Sequence, residues 1–208
     1  ASLNPHDPAH MSGGSSGGSG AAVAAGMAAI SLGSDTNGSI RVPSSFCGLF
    51  GLKPTYGRLT RAGSFPFVGS LDHLGPIARS VDDLALAYDA MQGRDNDDPA
   101  QCDRPIEPTI ARLTNGASGL RIAHAGGYFA RSGDPAAFAA VDTVCRALGA
   151  TREVEIPEAH RARAAALRRL RPHAHLPHDA AVGRRAVQPP RQPGLAELRR
   201  VGRDARST

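Results

Sequence analysis

The residues most able to do chemistry in this chain are serines set among glycines. Residues 13–20 read GGSSGGSG, and residues 33–39 read GSDTNGS and end at Ser39. A serine hydroxyl is a weak nucleophile and needs a neighbouring base. The sequence places no histidine to serve Ser39, and the 208 residues contain one lysine, Lys53. The first stretch alone has the composition of a flexible linker. Whether it is a linker or part of a catalytic motif is therefore decided by the residues that come after it.

Those later residues form a long motif that a linker would not precede. Residues 13–56 read GGSSGGSGAAVAAGMAAISLGSDTNGSIRVPSSFCGLFGLKPTY, and residues 70–79 read SLDHLGPIAR. The first block closely resembles the amidase signature, a glycine–serine loop and an alanine-rich helix followed by G(S/T)DxGGSIRxPxxxCGxxGxKPTxGR. The second block resembles the later SxDxxGPxAR element of the same family. The chain is therefore identified as a member of the amidase signature family, and an amidase is expected.

This resemblance implies a Ser–Ser–Lys triad, in which a bridging serine relays the proton of the nucleophile to a neutral lysine. By their places in the motif, Ser39 is the nucleophile that carries the acyl group, and Ser15 is the bridging serine on a cis peptide bond. The family's catalytic lysine precedes the glycine–serine loop, in a segment that this chain does not include, and Lys53 matches a structural lysine. We therefore expect the 208 residues to show little or no activity alone, because losing the base of such a unit costs orders of magnitude in rate.

The resemblance also assigns the loop before the nucleophile. Backbone N–H groups of Thr36, Asn37 and Gly38, together with that of the nucleophile, are expected to stabilise the oxyanion. Asn37 departs from the commonest pattern, which has glycine there. Asparagine tolerates left-handed backbone better than most residues, and its amide could also contact substrate. Asp35 and Arg41 resemble the family's structural charged pair and are interpreted as scaffold.

Other side chains near the motif have less specific interpretations. Ser16 and Ser19 are expected to bind backbone groups in turns, and Cys47 is expected to be a small buried residue. His73 could line the substrate pocket, or it could be structural, and the sequence favours neither. The three cysteines fit no metal site or disulfide framework, so no metal and no cofactor is expected.

The flanks of the motif resemble one branch of the family most closely. The TNGSIR variant and the stretch FPFVGSLDHLGP are typical of the branch that hydrolyses 1-carboxybiuret, a small urea-like amide, and that works with a small accessory subunit. Homo-oligomers are also possible. The alternatives are a general amidase, a glutamyl-tRNA amidotransferase A-type subunit, and an inactive truncated fragment.

Charge distribution argues against a nucleic-acid partner. The net charge is +5, but residues 1–166 carry 14 basic and 16 acidic residues, whereas residues 167–208 carry 10 basic and 3 acidic ones. The basicity thus belongs to the end of the chain rather than to a folded face. No apolar run approaches the ~20 residues that would cross a bilayer, so no membrane partner is expected. The first residues lack a secretory leader and suggest a start within a domain, and a cytoplasmic protein is expected.

Alternating helical and strand-like segments predict an α/β fold, as part of the family's α/β/α sandwich with a mixed central sheet. Helices are predicted over residues 21–29, 43–47, 81–91, 135–148 and 158–166, and strands over residues 30–32, 49–53, 56–60, 120–124 and 153–156. Residues 1–166 are interpreted as a partial amidase domain. Residues 167–208 are rich in arginine and proline and have no aromatic residue, which indicates a disordered or frame-shifted tail.

Overall fold

The computed structural model describes residues 2–131 and 133–156, and the chain divides into two compact units, the second beginning at Arg121. Both units combine strands with helices, so the fold is mixed α/β as predicted. The elements of the first unit are β1 (Leu3–Asn4), β2 (Asp7–Met11), α1 (Gly17–Ala24), β3 (Ile30–Asp35), α2 (Arg41–Phe46), β4 (Phe50–Gly51), β5 (His73–Ala78) and α3 (Val81–Met91), followed by a 3-10 helix (Ile110–Asn115). No helix of the described part is long and apolar enough to cross a membrane.

A three-stranded antiparallel sheet forms the centre of the first unit, with β5 between β3 and β4. Its register pairs Asp35 with His73 at one end, and Ala78 with both Ile30 and Phe50 at the other. The central strand is the most buried, and Ile77 and Ala78 are fully inaccessible to solvent. This register brings the loop that leaves β3 next to the loop that enters β5.

Helix α1 begins inside the glycine–serine stretch and ends at Ala24, so the prediction of a helix over residues 21–29 was wrong at both ends. Glycine and serine favour helices weakly, and packing rather than propensity explains the helix. Gly17 and Gly20 are buried, and a β-carbon on Gly20 would lie 3.1 Å from Cβ of Pro43 in α2. The missing side chain of Gly20 therefore allows α1 to approach α2 closely.

The predicted helix over residues 81–91 is confirmed as α3. The Ser80 hydroxyl accepts a hydrogen bond from the Asp83 N–H at 3.0 Å and satisfies one of the unpaired groups of the first turn. Ala85 and Ala87 are the buried residues of this helix. The sequence predicts this helix correctly because its N-cap and its apolar spacing both involve residues that are close together in the chain.

The strand predictions of the first unit were less accurate. No strand forms over residues 56–60; Arg58 N–H instead donates to the Thr55 carbonyl in a turn at 3.0 Å, and Gly57 has a φ of 72°. Strand β5 was not predicted, because it contains Gly75 and Pro76, and glycine followed by proline is typical of a turn or loop. Only the burial of β5 between two neighbours makes it a strand.

The described part of the second unit contains a parallel pair of strands and one long helix. Its elements are β6 (Ala123–Ala125), a 3-10 helix (Gly127–Ala130), α4 (Pro135–Ala147) and β7 (Arg152–Val154). The Asp134 carboxylate caps α4 by accepting from the Ala136 N–H at 2.8 Å, as the sequence predicted. The predicted helix over residues 158–166 and the proposed tail over residues 167–208 lie outside the described residues, so the division at residue 166 stays a prediction.

Candidate active site

Two serines that stand 24 positions apart in the sequence, Ser15 and Ser39, line one cavity of about 470 Å³. Thr36 and Asn37 line it as well, whereas Gly38 does not. Residues 61–67 contribute much of the remaining wall. The cavity therefore brings together both predicted catalytic hydroxyls and part of the predicted oxyanion loop.

The segment that carries Ser15 is fixed directly to the loop that ends at Ser39. The Gly14–Ser15 peptide bond is cis, at the place that the family resemblance implied. The Ser16 N–H donates to the Ser39 carbonyl at 3.3 Å, and the Ser16 hydroxyl donates to the Ser34 carbonyl and accepts from the Ser34 N–H, both at 3.1 Å. Ser16 is thus a backbone-binding residue, as predicted, and it holds the two serine-bearing segments side by side.

Asp35 organises the turn from β3 into α2. Its side chain is fully buried and accepts from the N–H groups of Gly38 at 2.6 Å and Ile40 at 3.2 Å. The Arg41 guanidinium adds two hydrogen bonds at 3.0 and 3.1 Å. Gly38 has a φ of 120°, in the region that favours glycine, which lets the chain fold back over the carboxylate. Asp35 therefore shapes the loop that presents Ser39.

This ion pair is strong enough to keep the carboxylate charged in a buried place. Burial alone would raise the pKa of Asp35, but the hydrogen bonds from Arg41, Gly38 and Ile40 outweigh it and lower the pKa to about 2. The same contact raises the pKa of Arg41. Neither side chain lines the cavity, so the geometry is that of a scaffold beside the site.

The predicted oxyanion donors differ in whether their N–H groups already have a hydrogen-bond acceptor within the protein. The Gly38 N–H already has an acceptor in Asp35, so its expected donation to an oxyanion stays a prediction. Within the described residues, the N–H groups of Thr36, Asn37 and Ser39 have no hydrogen-bond acceptor. These three groups are the ones available to a ligand.

A second carboxylate, Asp72, ties the predicted oxyanion loop to the backbone at residues 67–68. It accepts from the Thr36 hydroxyl at 2.6 Å and from the N–H groups of Phe67 and Val68, both at 2.8 Å. Burial opposes its ionisation, but these hydrogen bonds prevail and lower its pKa. Asp72 lies in the second motif of the sequence, yet its role as a link between two loops was not predicted.

An arginine that the sequence analysis did not single out also lines the cavity. Arg61 forms a bidentate ion pair with buried Asp98, with both hydrogen bonds at 3.2 Å, and it lies over the Tyr56 ring at 5.0 Å. Hydrogen bonds from Arg61 are the main reason that the pKa of Asp98 is lowered to about 2. The partners are 37 positions apart, so no local pattern could have indicated the pair.

The remaining predictions concern residues outside the cavity. Cys47 is fully buried, as expected, and burial raises the pKa of its thiol. The Ser19 hydroxyl donates to the Leu32 carbonyl at 2.8 Å, so Ser19 binds a backbone group as expected, but it does so from within α1 rather than from a turn. Lys53 donates to the Pro54 carbonyl at 2.8 Å and does not line the cavity of Ser15 and Ser39.

Comparison with known proteins defines the class to which this fold and site belong. The amidase family model matches residues 1–174, which is most of the chain, so the chain belongs to the amidase family. Among curated proteins, it is 59% identical over 163 residues to AtzE, a 1-carboxybiuret hydrolase subunit of Pseudomonas sp. (strain ADP). It is 46% identical over 158 residues to the A-type subunit of the glutamyl-tRNA(Gln) amidotransferase of Listeria monocytogenes.

Solved structures agree with this classification. One, described as a vestigial protein complex that reveals the evolutionary origins of an s-triazine catabolic enzyme, aligns with 79% of the chain at 58% identity and a TM-score of 0.77. The peptide amidase of Stenotrophomonas maltophilia aligns with 75% of the chain at 39% identity and a TM-score of 0.66. The chain spans about a third of the length of these relatives: 36% of AtzE and of the first structure, and 33% of the other two proteins.

Proposed function

We propose that this chain carries the nucleophilic part of an amidase that cleaves the C–N bond of a small urea-like amide, with 1-carboxybiuret as the first candidate. The main support is the shared cavity lined by Ser15 and Ser39, whose segments are joined by the hydrogen bond from Ser16 N–H to the Ser39 carbonyl. The 59% identity to a 1-carboxybiuret hydrolase subunit supports the substrate class.

In the proposed reaction, the Ser39 hydroxyl oxygen attacks the carbonyl carbon of the amide. Its proton moves to the Ser15 hydroxyl, and the Ser15 proton moves to the neutral amine of a lysine. The C–N bond then breaks, the leaving nitrogen takes up a proton and departs as ammonia, and the acyl group remains on Ser39. A water molecule, deprotonated along the same path, hydrolyses the ester and restores the Ser39 hydroxyl.

The negative charge that develops on the carbonyl oxygen needs preorganised donors. We assign this role to the N–H groups of Thr36, Asn37 and Ser39, because none of them has an acceptor within the described part of the chain. Gly38 is assigned a supporting role, since its N–H donates to Asp35. Thr36 is further held by its hydroxyl contact with Asp72, which limits movement of the loop.

Lys53 is not positioned to act as the general base that accepts the proton from Ser15. It donates to the Pro54 carbonyl and lines a different cavity from the two serines. The proposed base is therefore a lysine other than Lys53, and the 208 residues hold no other lysine. This is the physical ground for expecting little or no turnover from these residues alone.

A second candidate function is the release of ammonia from glutamine by an amidotransferase A-type subunit. It is supported by the 46% identity to such a protein from Listeria monocytogenes over 74% of the chain. Partner binding belongs to both candidates: the similar curated proteins are named as subunits, and the similar structure is described as a protein complex. We therefore propose that a small accessory protein binds this chain.

The test of the nucleophile uses a joined version, in which the chain is connected to the lysine-bearing segment of its Pseudomonas relative. A fluorophosphonate probe should label Ser39, and Ser39→Ala should abolish labelling and ammonia release. Ser15→Ala should slow labelling by about 100-fold or more, because the proton path is broken. The matched control is Ser19→Ala, in the same glycine–serine stretch but outside the cavity, which should label normally. Labelling that persists in Ser39→Ala would show that the assignment is wrong.

Substrate choice is tested by ammonia release from 1-carboxybiuret and from glutamine at equal concentrations. The proposal expects faster release from 1-carboxybiuret, whereas preference for glutamine would favour the amidotransferase candidate. The 208-residue chain alone serves as the second control. A rate near the ~10 per second of a typical enzyme would contradict the requirement for another lysine.

A further inference from the structure

His73 stands at the first position of β5 and is half-buried, with its ring at the wall of the cavity that Ser15 and Ser39 line. The Tyr56 ring packs edge-to-face against it, with 5.6 Å between ring centroids. The Tyr56 hydroxyl is itself fixed by donating to the Gly69 carbonyl at 2.7 Å. The imidazole is therefore held in one orientation beside the reacting groups.

The contacts of its Nδ1 atom define which tautomer the ring adopts. Nδ1 lies 2.6 Å from the Leu71 carbonyl oxygen and 3.1 Å from the Asp35 carbonyl oxygen. A carbonyl oxygen can only accept, so Nδ1 carries the hydrogen. No carboxylate lies within ion-pair distance of His73 in the described residues. In the neutral ring with hydrogen on Nδ1, Nε2 is a hydrogen-bond acceptor.

The Nε2 atom is open to solvent rather than satisfied by the protein. It has no hydrogen-bond partner among the described residues, yet every buried side-chain nitrogen or oxygen in that part of the chain has one. Nε2 therefore cannot be buried. Since Nδ1 faces the backbone of Leu71 and Asp35, the accessible edge of this cavity-lining ring is the one that carries Nε2.

We propose that His73 is a specificity-determining residue whose Nε2 accepts the N–H next to the scissile carbonyl of a urea-like substrate. This inference rests on the proposed amidase function and adds the substrate feature that the cavity selects. Urea-like amides carry an N–H where ordinary amides such as glutamine carry a CH₂, which cannot donate. Three carboxylates line the cavity: Asp72 is engaged by Thr36, Phe67 and Val68, and Asp98 is engaged by Arg61. The third, Asp97, is exposed and accepts no hydrogen bond within the described residues, so it is the competing acceptor from which the His73 variants distinguish Nε2.

Biuret and malonamide form a matched pair of probes: each has two carboxamides, which are joined by an N–H in biuret and by a CH₂ in malonamide. In the 208-residue chain with ¹⁵N-labelled histidine, titration with biuret should shift the Nε2 resonance of His73, and malonamide should leave it in place. The resonance is assigned by its loss in His73→Asn. An equal response to both probes, or to neither, would overturn the proposal, and this binding measurement needs no turnover.

Kinetics of the joined version supply the second readout. His73→Asn keeps a donor near the position of Nδ1 and removes Nε2, whereas the Gln side chain of His73→Gln reaches the position of Nε2. His73→Asn should lower kcat/KM for biuret about tenfold or more while changing that for malonamide less than about threefold. His73→Gln should recover part of the biuret rate. Equal loss for both substrates would assign His73 a purely structural role.

Failure of this inference can be distinguished from failure of the proposed function. If Ser39→Ala retains full hydrolysis, the nucleophile is wrong, whereas the ¹⁵N titration still reports whether His73 binds the ureido N–H. If Ser39→Ala is inactive and His73→Asn affects both substrates alike, the proposed amidase function is supported and the proposed selectivity role of His73 is wrong.

Discussion

Replacing Asp35 with asparagine tests whether the loop that presents Ser39 depends on one buried charge. The carboxylate accepts four hydrogen bonds, from the N–H groups of Gly38 and Ile40 and twice from Arg41. An asparagine offers one accepting oxygen, and its NH₂ group would face donors. Leaving buried donors and a guanidinium without an acceptor costs about 2–3 kcal/mol in free energy of unfolding, which is less than the ~3–5 kcal/mol of a fully buried ion pair because Arg41 is half exposed.

The lowered pKa of Asp35 predicts how the stability difference between the two proteins changes with pH, and over which pH range. The pKa of Asp35 is lowered from its ordinary value of 3.8 to about 2 in the folded chain. A lowered folded-state pKa means that the contribution is fully present above about pH 4 and is lost as the pH falls to about 2. The change in pKa corresponds to about 2 kcal/mol. The stability difference between the wild-type chain and Asp35→Asn should therefore shrink by about that amount between about pH 6 and pH 2.

Urea unfolding followed by circular dichroism at about pH 6, 4, 3 and 2 measures this difference. The matched control is Asp103→Asn, an exposed carboxylate with no side-chain hydrogen bond in the described part of the chain, which should change stability by less than about 0.5 kcal/mol. A deficit of Asp35→Asn that stays constant with pH would refute the reasoning. It would show that lost packing, rather than the lost charge, explains the deficit.

Two further predictions concern stability in the same unit. Ser80→Ala should lower the free energy of unfolding by about 1 kcal/mol through loss of the cap on the Asp83 N–H, and an unchanged urea midpoint would contradict it. Gly75→Ala should destabilise by more than about 2 kcal/mol, because its methyl group would overlap the Leu52 carbonyl oxygen. Gly18→Ala, an exposed helical position with open space around it, is the control and should be neutral or stabilising by up to about 1 kcal/mol; equal effects at both glycines would show that steric overlap is not the cause.

Local interactions explain which elements could be predicted. The cap of α3 joins Ser80 to a group three positions away, and that of α4 joins Asp134 to a group two positions away. Such contacts lie within one turn and can be identified from spacing alone. Strand β5 depends instead on pairing with β3 and β4 on either side, and its glycine and proline hide it from pattern analysis. The glycine–serine segment likewise becomes helical through tertiary contacts, with Gly20 packed on Pro43 of α2 and Ser19 bound to the Leu32 carbonyl in β3.

The sequence by itself determined the family and predicted the two catalytic serines, because the amidase signature is long, nearly continuous and carries its chemistry at fixed positions. Tertiary structure alone decided what surrounds them. It brought His73 beside the serines, joined Arg61 to Asp98, and used the Gly38 N–H to hold Asp35. Apart from the contact between Gly38 and Asp35, these relations join residues that are far apart in the chain. A side chain's partner at such a separation is set by sheet register and loop packing, which no local pattern encodes.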